Sequence, residues 1–150
     1  FDGGRFDILN GFDEMLLCGM AVGARGGVGS TYNYSLRTYQ NIYDAFMAGD
    51  LEQARAAQQE SVDIVHVIIN HGGGIRGGKA SMKLVGIDCG DCRLPLAPYT
   101  EAEIARLDEE LRAIGFKKQP AYRADNQHAR LSGRFRSGGR SFRPVRNGIK

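Results

Sequence analysis

The chain has 150 residues, 42% hydrophobic and 25% charged, with a net charge of +3. This is enough for one ordinary globular domain, and no apolar run approaches membrane-spanning length. No charged-then-apolar signal segment opens the chain, and Phe1 in place of Met points to a partial chain.

Three cysteines, Cys18, Cys89 and Cys92, leave one unpaired in any disulfide scheme. They read as reduced thiols, which predicts a cytoplasmic protein. The net charge hides a division. Residues 1–116 carry ten Lys/Arg and sixteen Asp/Glu, a net of −6, whereas residues 117–150 carry ten Lys/Arg and only Asp125, a net of +9. An acidic folded body with a basic tail is expected.

Residues 5–10 are a short strand candidate ended by Gly11. Asp13 suits the cap of a helix running through Leu16, Leu17 and Met20 to Gly23, a plausible terminating glycine. Residues 26–30 form a second, glycine-rich strand candidate. A helix over 36–47 follows, with bulk from Tyr39, Tyr43 and Phe46 and a stop at Gly49. The order strand, helix, strand, helix leaves a link long enough for a parallel crossover.

Asp50 and Gln53 resemble a capping box before a long apolar period through Leu51, Ala54, Val62, Val65, Ile68 and Ile69, which predicts a helix. A shorter helix is expected over 79–85. Thr100 and Glu103 form a capping box ahead of the stripe Ile104, Leu107, Leu111 and Ile114, which ends at Gly115. Beyond Phe116 the periodicity stops. The Arg-, Gly- and Ser-rich stretch 117–150 has too few apolar anchors to offset its ordering entropy, so it is expected to be a basic disordered tail.

Two clusters follow the strand candidates: Asn10-Gly11-Phe12-Asp13-Glu14 and Gly29-Ser30-Thr31-Tyr32-Asn33. Carboxylates accept hydroxyl donors, a serine hydroxyl donates or accepts, and glycine lets the backbone approach a ligand. Local readings stand beside these: Asp13 is a good N-cap, and Glu14 suits the first turn of a helix. Together the clusters resemble the dihydrodipicolinate synthase and N-acetylneuraminate lyase family, and its lyase branch in particular, over roughly residues 2–116. The resemblance implies an α/β fold, the C-terminal part of a (β/α)8 TIM barrel. Residues 1–49 would be its last two βα units, 50–116 the appended C-terminal helices, and 117–150 the tail.

The resemblance also implies a pyruvate-dependent class I aldolase that reversibly cleaves N-acetylneuraminate to pyruvate and N-acetylmannosamine through a lysine Schiff base. Gly11, Asp13, Glu14 and Ser30 would bind the sugar acid, at strand C-terminal ends where such barrels place their sites. The family's imine lysine matches no position here. Lys79 and Lys83 fall in the appended helices and Lys117, Lys118 and Lys150 in the tail, so no catalytic residue is assigned. An imine mechanism needs no metal and no further cofactor. The expected partners are small molecules (sialic acid, pyruvate and N-acetylmannosamine) and, at full length, further copies of the chain in a tetramer. The alternatives are another branch of the family acting on a different aldehyde, or an RNA-associated protein using its basic tail. Arg134-Phe135-Arg136 and Phe142-Arg143 are only a weak signature for single-stranded RNA, and neither nucleic acid nor membrane is the expected partner.

Three motifs do not carry function. The run from Gly73 to Lys79 is close to a phosphate-binding loop, but Ala80 stands where Ser or Thr should hold magnesium, and a flexible loop between helices is expected. Cys89 and Cys92 have CxxC spacing without a second pair and are expected in a loop between the last two helices. His66 and His71 lie five apart, a poor spacing for joint metal ligation on one helix face.

Overall fold

The computed structural model describes Gly3 and residues 5–116; the expected disordered tail lies outside them. The two strand candidates meet in parallel, as a crossover requires, but only through a single bridge between Asn10 and Gly27. The Asn10 N–H donates to the Gly26 carbonyl at 2.9 Å, and the Val28 N–H donates to the Asn10 carbonyl at 2.9 Å. No strand forms among the described residues, which corrects the expected strands at 5–10 and 26–30. The physical reason is missing company. A two-stranded parallel pair is marginal by itself. Phe6, Ile8, Leu9 and Val28 are each more than half exposed, so too little packs on the apolar side chains to stiffen it.

A 3-10 turn, Asp13–Met15, leads into α1, Leu16–Ala21. Gly23 takes a left-handed φ of 102°, and its N–H donates to the Met20 carbonyl, so it ends this helix as its position predicts. Helix α2, Tyr32–Ala48, begins earlier than the periodicity indicates. Its first turn is interrupted at Ser35 (φ −130°), whose hydroxyl donates to the Thr31 carbonyl at 2.7 Å. The regular portion therefore starts at Leu36, the predicted first residue. Gly49 closes α2 with a φ of 79°.

Helix α3, Leu51–Asn70, is capped by Asp50, whose carboxylate accepts from the Gln53 N–H at 3.0 Å. Helix α5, Glu101–Ala113, carries the full capping box between Thr100 and Glu103. The loop before α5 holds Cys89 and Cys92, both free thiols.

Helix α4, Gly73–Leu84, starts six residues before the predicted Lys79. The glycine run expected as a flexible loop is its first half. Helix propensity argues against this, but packing overrides it. Gly77 and Gly78 are buried, and a Cβ on Gly77 would come within 2.8 Å of Ile68 Cγ2 and 3.0 Å of the Ile68 carbonyl oxygen. The absent side chain lets α4 lie directly against α3, and that contact stabilises a sequence that is weakly helical alone.

Helix α3 is the hub and packs against α1, α2, α4, α5 and the 3-10 turn. One core cluster joins Ile64, Val67 and Ile68 of α3 to Tyr34, Ala80, Leu107 and Leu111. A second joins Leu16 and Met20 of α1 to Tyr39 and Ile42 of α2 and Ala57 of α3. Apolar residues at three- and four-residue spacing on α3 thus bury two faces against different neighbours.

Candidate functional site

Asp13 opens the 3-10 turn and is only 8% exposed. It is not the N-cap its sequence position suggested, because Phe12 holds that place and no side chain caps the turn. Its carboxylate reaches instead to the second cluster. Asp13 Oδ2 accepts from the Thr31 N–H at 3.2 Å and from Thr31 Oγ1 at 2.5 Å. Thr31 Oγ1 and the Tyr39 hydroxyl are also 2.5 Å apart. Since Thr31 gives its one hydroxyl proton to Asp13, Tyr39 is the donor in that pair. Tyr39 stacks on Tyr32 with ring centroids 4.0 Å apart.

The buried carboxylate affects its surroundings. Burial, and secondarily the negative charge of Asp13, push the Tyr32 phenol up to about 12. Burial likewise raises Tyr34 and Tyr39, with Asp13 adding to both. All three rings stay neutral packing groups across the ordinary pH range, and Tyr39 keeps its proton for Thr31.

Two residues that hold this geometry were not among the expected site residues. A Cβ on Gly29 would overlap the Asp13 carboxylate, so glycine is required there for Asp13 to reach Thr31. Gln58 of α3 holds the start of α1 from below. Its Oε1 accepts from the Leu17 N–H at 2.8 Å, and its Nε2 donates to the Asp13 carbonyl at 3.3 Å and to Ser61 Oγ at 2.5 Å. A polar residue on the apolar stripe of α3 was the available signal for Gln58. Gly29 had none beyond its identity.

Gly11, Asp13, Glu14 and Ser30 line one cleft of about 270 Å³. Val65 and Ile68 of α3 form its apolar wall, and Gly74 of α4 its far edge. Glu14 is half-buried, and its carboxylate has no hydrogen-bond or ion-pair partner among the described residues. Ser30 and Gly11 are exposed. Among the described residues nothing beyond the adjacent ones lies within 4 Å of a Cβ placed on Gly11, so a side chain there would project into open space beside the cleft. The cleft therefore presents one tethered carboxylate, one free carboxylate and a hydroxyl against an apolar wall, a set suited to a ligand with several hydroxyls.

The two lysines among the described residues do not join it. Lys79 Nζ donates to the carbonyls of Cys89, Gly90 and Asp91 at 2.9, 3.3 and 2.9 Å and so holds the loop before α5. Lys83 faces the same neighbouring hollow. No group of three or more metal-ligating side chains occurs among the described residues, and none of their helices is long and apolar enough to cross a membrane.

Residues 3–114 match the Dihydrodipicolinate synthetase family. The chain belongs to this family. It is 36% identical to N-acetylneuraminate lyase of Rattus norvegicus over 126 residues, covering 83% of the chain and 39% of that relative. It is 40% identical to N-acetylneuraminate lyase of Gallus gallus over 111 residues, covering 73% of the chain and 36% of that relative. Among solved structures, Proteus mirabilis N-acetylneuraminate lyase superposes with a TM-score of 0.71 at 36% identity, covering 77% of this chain and 39% of that one. The N-acetylneuraminate lyase (sialic acid aldolase) from Aliivibrio salmonicida gives 0.70 at 37% identity, covering 77% and 38%. This member of the Dihydrodipicolinate synthetase family thus spans less than two-fifths of the length of these relatives.

Proposed function

We propose that residues 5–116 form the aldehyde-side half of an N-acetylneuraminate lyase-like aldolase site. The supporting observation is that Gly11, Asp13, Glu14 and Ser30, from two clusters separated in sequence, line one cleft. The ligand class follows from the groups present. Two carboxylates and a serine hydroxyl offer acceptors to the hydroxyls of a sugar-acid tail, and the Val65 and Ile68 wall takes its carbon face. Relatives named N-acetylneuraminate lyase, 36% and 40% identical, point to sialic acid within that class.

In this reading the C–C bond breaks when an imine at the neighbouring carbonyl carbon receives its electrons and the hydroxyl proton leaves with formation of the aldehyde. This chain binds and orients the aldehyde half. The imine lysine comes from outside the cleft surface described, because Lys79 is committed to loop carbonyls. Assembly into a homotetramer and pyruvate as the second product belong to the same proposal.

Titration of the isotope-labelled chain with N-acetylmannosamine, followed by amide NMR, tests it. Shifts confined to Gly11, Asp13, Glu14, Ser30 and their neighbours are expected. Shifts elsewhere, or none, refute the site. Incubation with pyruvate and borohydride should leave the intact mass unchanged, whereas a single adduct on Lys79 or Lys83 would place an imine site within this chain and overturn the division of labour.

A further inference from the structure

The two oxygens of the Asp13 carboxylate are in different situations. Oδ2 is turned toward the start of α2 and takes both Thr31 donors, the N–H at 3.2 Å and the hydroxyl at 2.5 Å. Oδ1 is the atom that a Cβ on Gly29 would strike first, so it lies over the bare Cα of that cleft residue. A carboxylate is free to turn about its last torsion unless its oxygens are tied. Here the tie is one-sided and is itself held, because Tyr39 donates to Thr31 Oγ1 and is fixed by its stack on Tyr32. Thr31 and Tyr39 are both buried, so water does not compete for these bonds.

We infer that Thr31, backed by Tyr39, is a positioning residue that keeps Oδ2 of Asp13 for the protein and leaves Oδ1 for one ligand hydroxyl. The inference rests on the functional reading above. It divides the polyol end between two unlike carboxylates: Asp13 offers a single, directionally fixed acceptor, and the unpartnered Glu14 offers both of its oxygens. Discrimination between ligands with and without the hydroxylated tail then depends on a cleft-lining residue whose hydroxyl is spent on Asp13 rather than on the ligand. Gly29 belongs to the same device, since any side chain there would displace Oδ1.

The test uses the full chain and two probes, N-acetylneuraminate and the same sugar acid with its glycerol tail removed, with affinities taken from calorimetric titration. Thr31→Val keeps shape and N–H but removes the hydroxyl. It should weaken binding of the tailed acid by about tenfold, the value of one charge-assisted hydrogen bond, and leave the truncated acid unchanged. Thr31→Ser should restore the tailed acid to within about twofold, since the hydroxyl returns. Tyr39→Phe, which leaves Thr31 in place, should give a smaller loss of the same selective kind and serves if the valine variant does not fold. Equal loss of both probes would mean a merely structural role and would overturn the inference, as would unchanged affinity in both variants. If the unsubstituted chain itself fails to prefer the tailed acid, the functional reading falls and takes this inference with it. If that preference is present but insensitive to Thr31 and Tyr39, only the inference falls.

Discussion

Replacing Gly77 by Ala sets two effects of known size against each other. In the interior of a helix, alanine is favoured over glycine by about 1 kcal/mol, so on propensity alone the change stabilises. The structure reverses the sign. The new Cβ would sit 2.8 Å from Ile68 Cγ2 and 3.0 Å from the Ile68 carbonyl oxygen. Carbon atoms pack at about 3.5–4.0 Å, so the shortfall is most of an ångström. The side chain of Ile68 cannot easily turn away, because a β-branched residue in a helix is nearly confined to one χ1 rotamer. The carbonyl is backbone of α3 and moves only with the helix.

Overpacking of this kind costs about 1–3 kcal/mol, and after the propensity gain a net loss of about 1 kcal/mol is expected. Gly74→Ala in the same helix is the control, for its Cβ would meet only Ser30 Oγ, at 3.9 Å. It should be neutral or stabilising by up to about 1 kcal/mol. Urea unfolding followed by circular dichroism reads the difference as a midpoint separation of roughly 1 M between the variants, with equal slopes. If Gly77→Ala is as stable as Gly74→Ala, close approach of α4 to α3 is not what holds the glycine run in a helix, and the account of α4 fails.

Two further outcomes follow from the packing and charge of α5. Hydrogen bonds from Thr100, then the Arg76 guanidinium, hold the Glu103 carboxyl down from 4.5 to about 2. A depressed carboxyl contributes stability that is complete above its unfolded value and is lost as pH falls from 4.5 through about 2. Glu103→Gln should flatten the pH dependence of the melting temperature in that window and leave the higher range unsloped. Leu107 is fully buried between α5 and the first core cluster. Leu107→Ala should cost about 2–5 kcal/mol, read as a fall in the urea midpoint, and a smaller loss would mean that α5 docks loosely.

Sequence alone determined what acts over a few residues. Asp50 and Thr100 start helices because their side chains reach backbone N–H groups three residues on, and Gly23, Gly49 and Gly115 stop helices because they accept positive φ. The apolar stripes of α3 and α5 were equally legible, since a fixed period implies a buried face whatever it meets. The clustering of Gly11, Asp13, Glu14 and Ser30 was suggested by family resemblance, and no local rule would have yielded it. What only the tertiary structure decided depends on partners remote in the chain. Residues 5–10 and 26–30 remain a single bridge because two paired segments with neither a third strand nor a packed face are marginal. Gly73–Leu84 is helix because Gly77 meets Ile68. Asp13, a plausible cap by its position, is turned away from its own helix because Thr31, eighteen residues on, satisfies a buried carboxylate with two donors where the local turn would supply one.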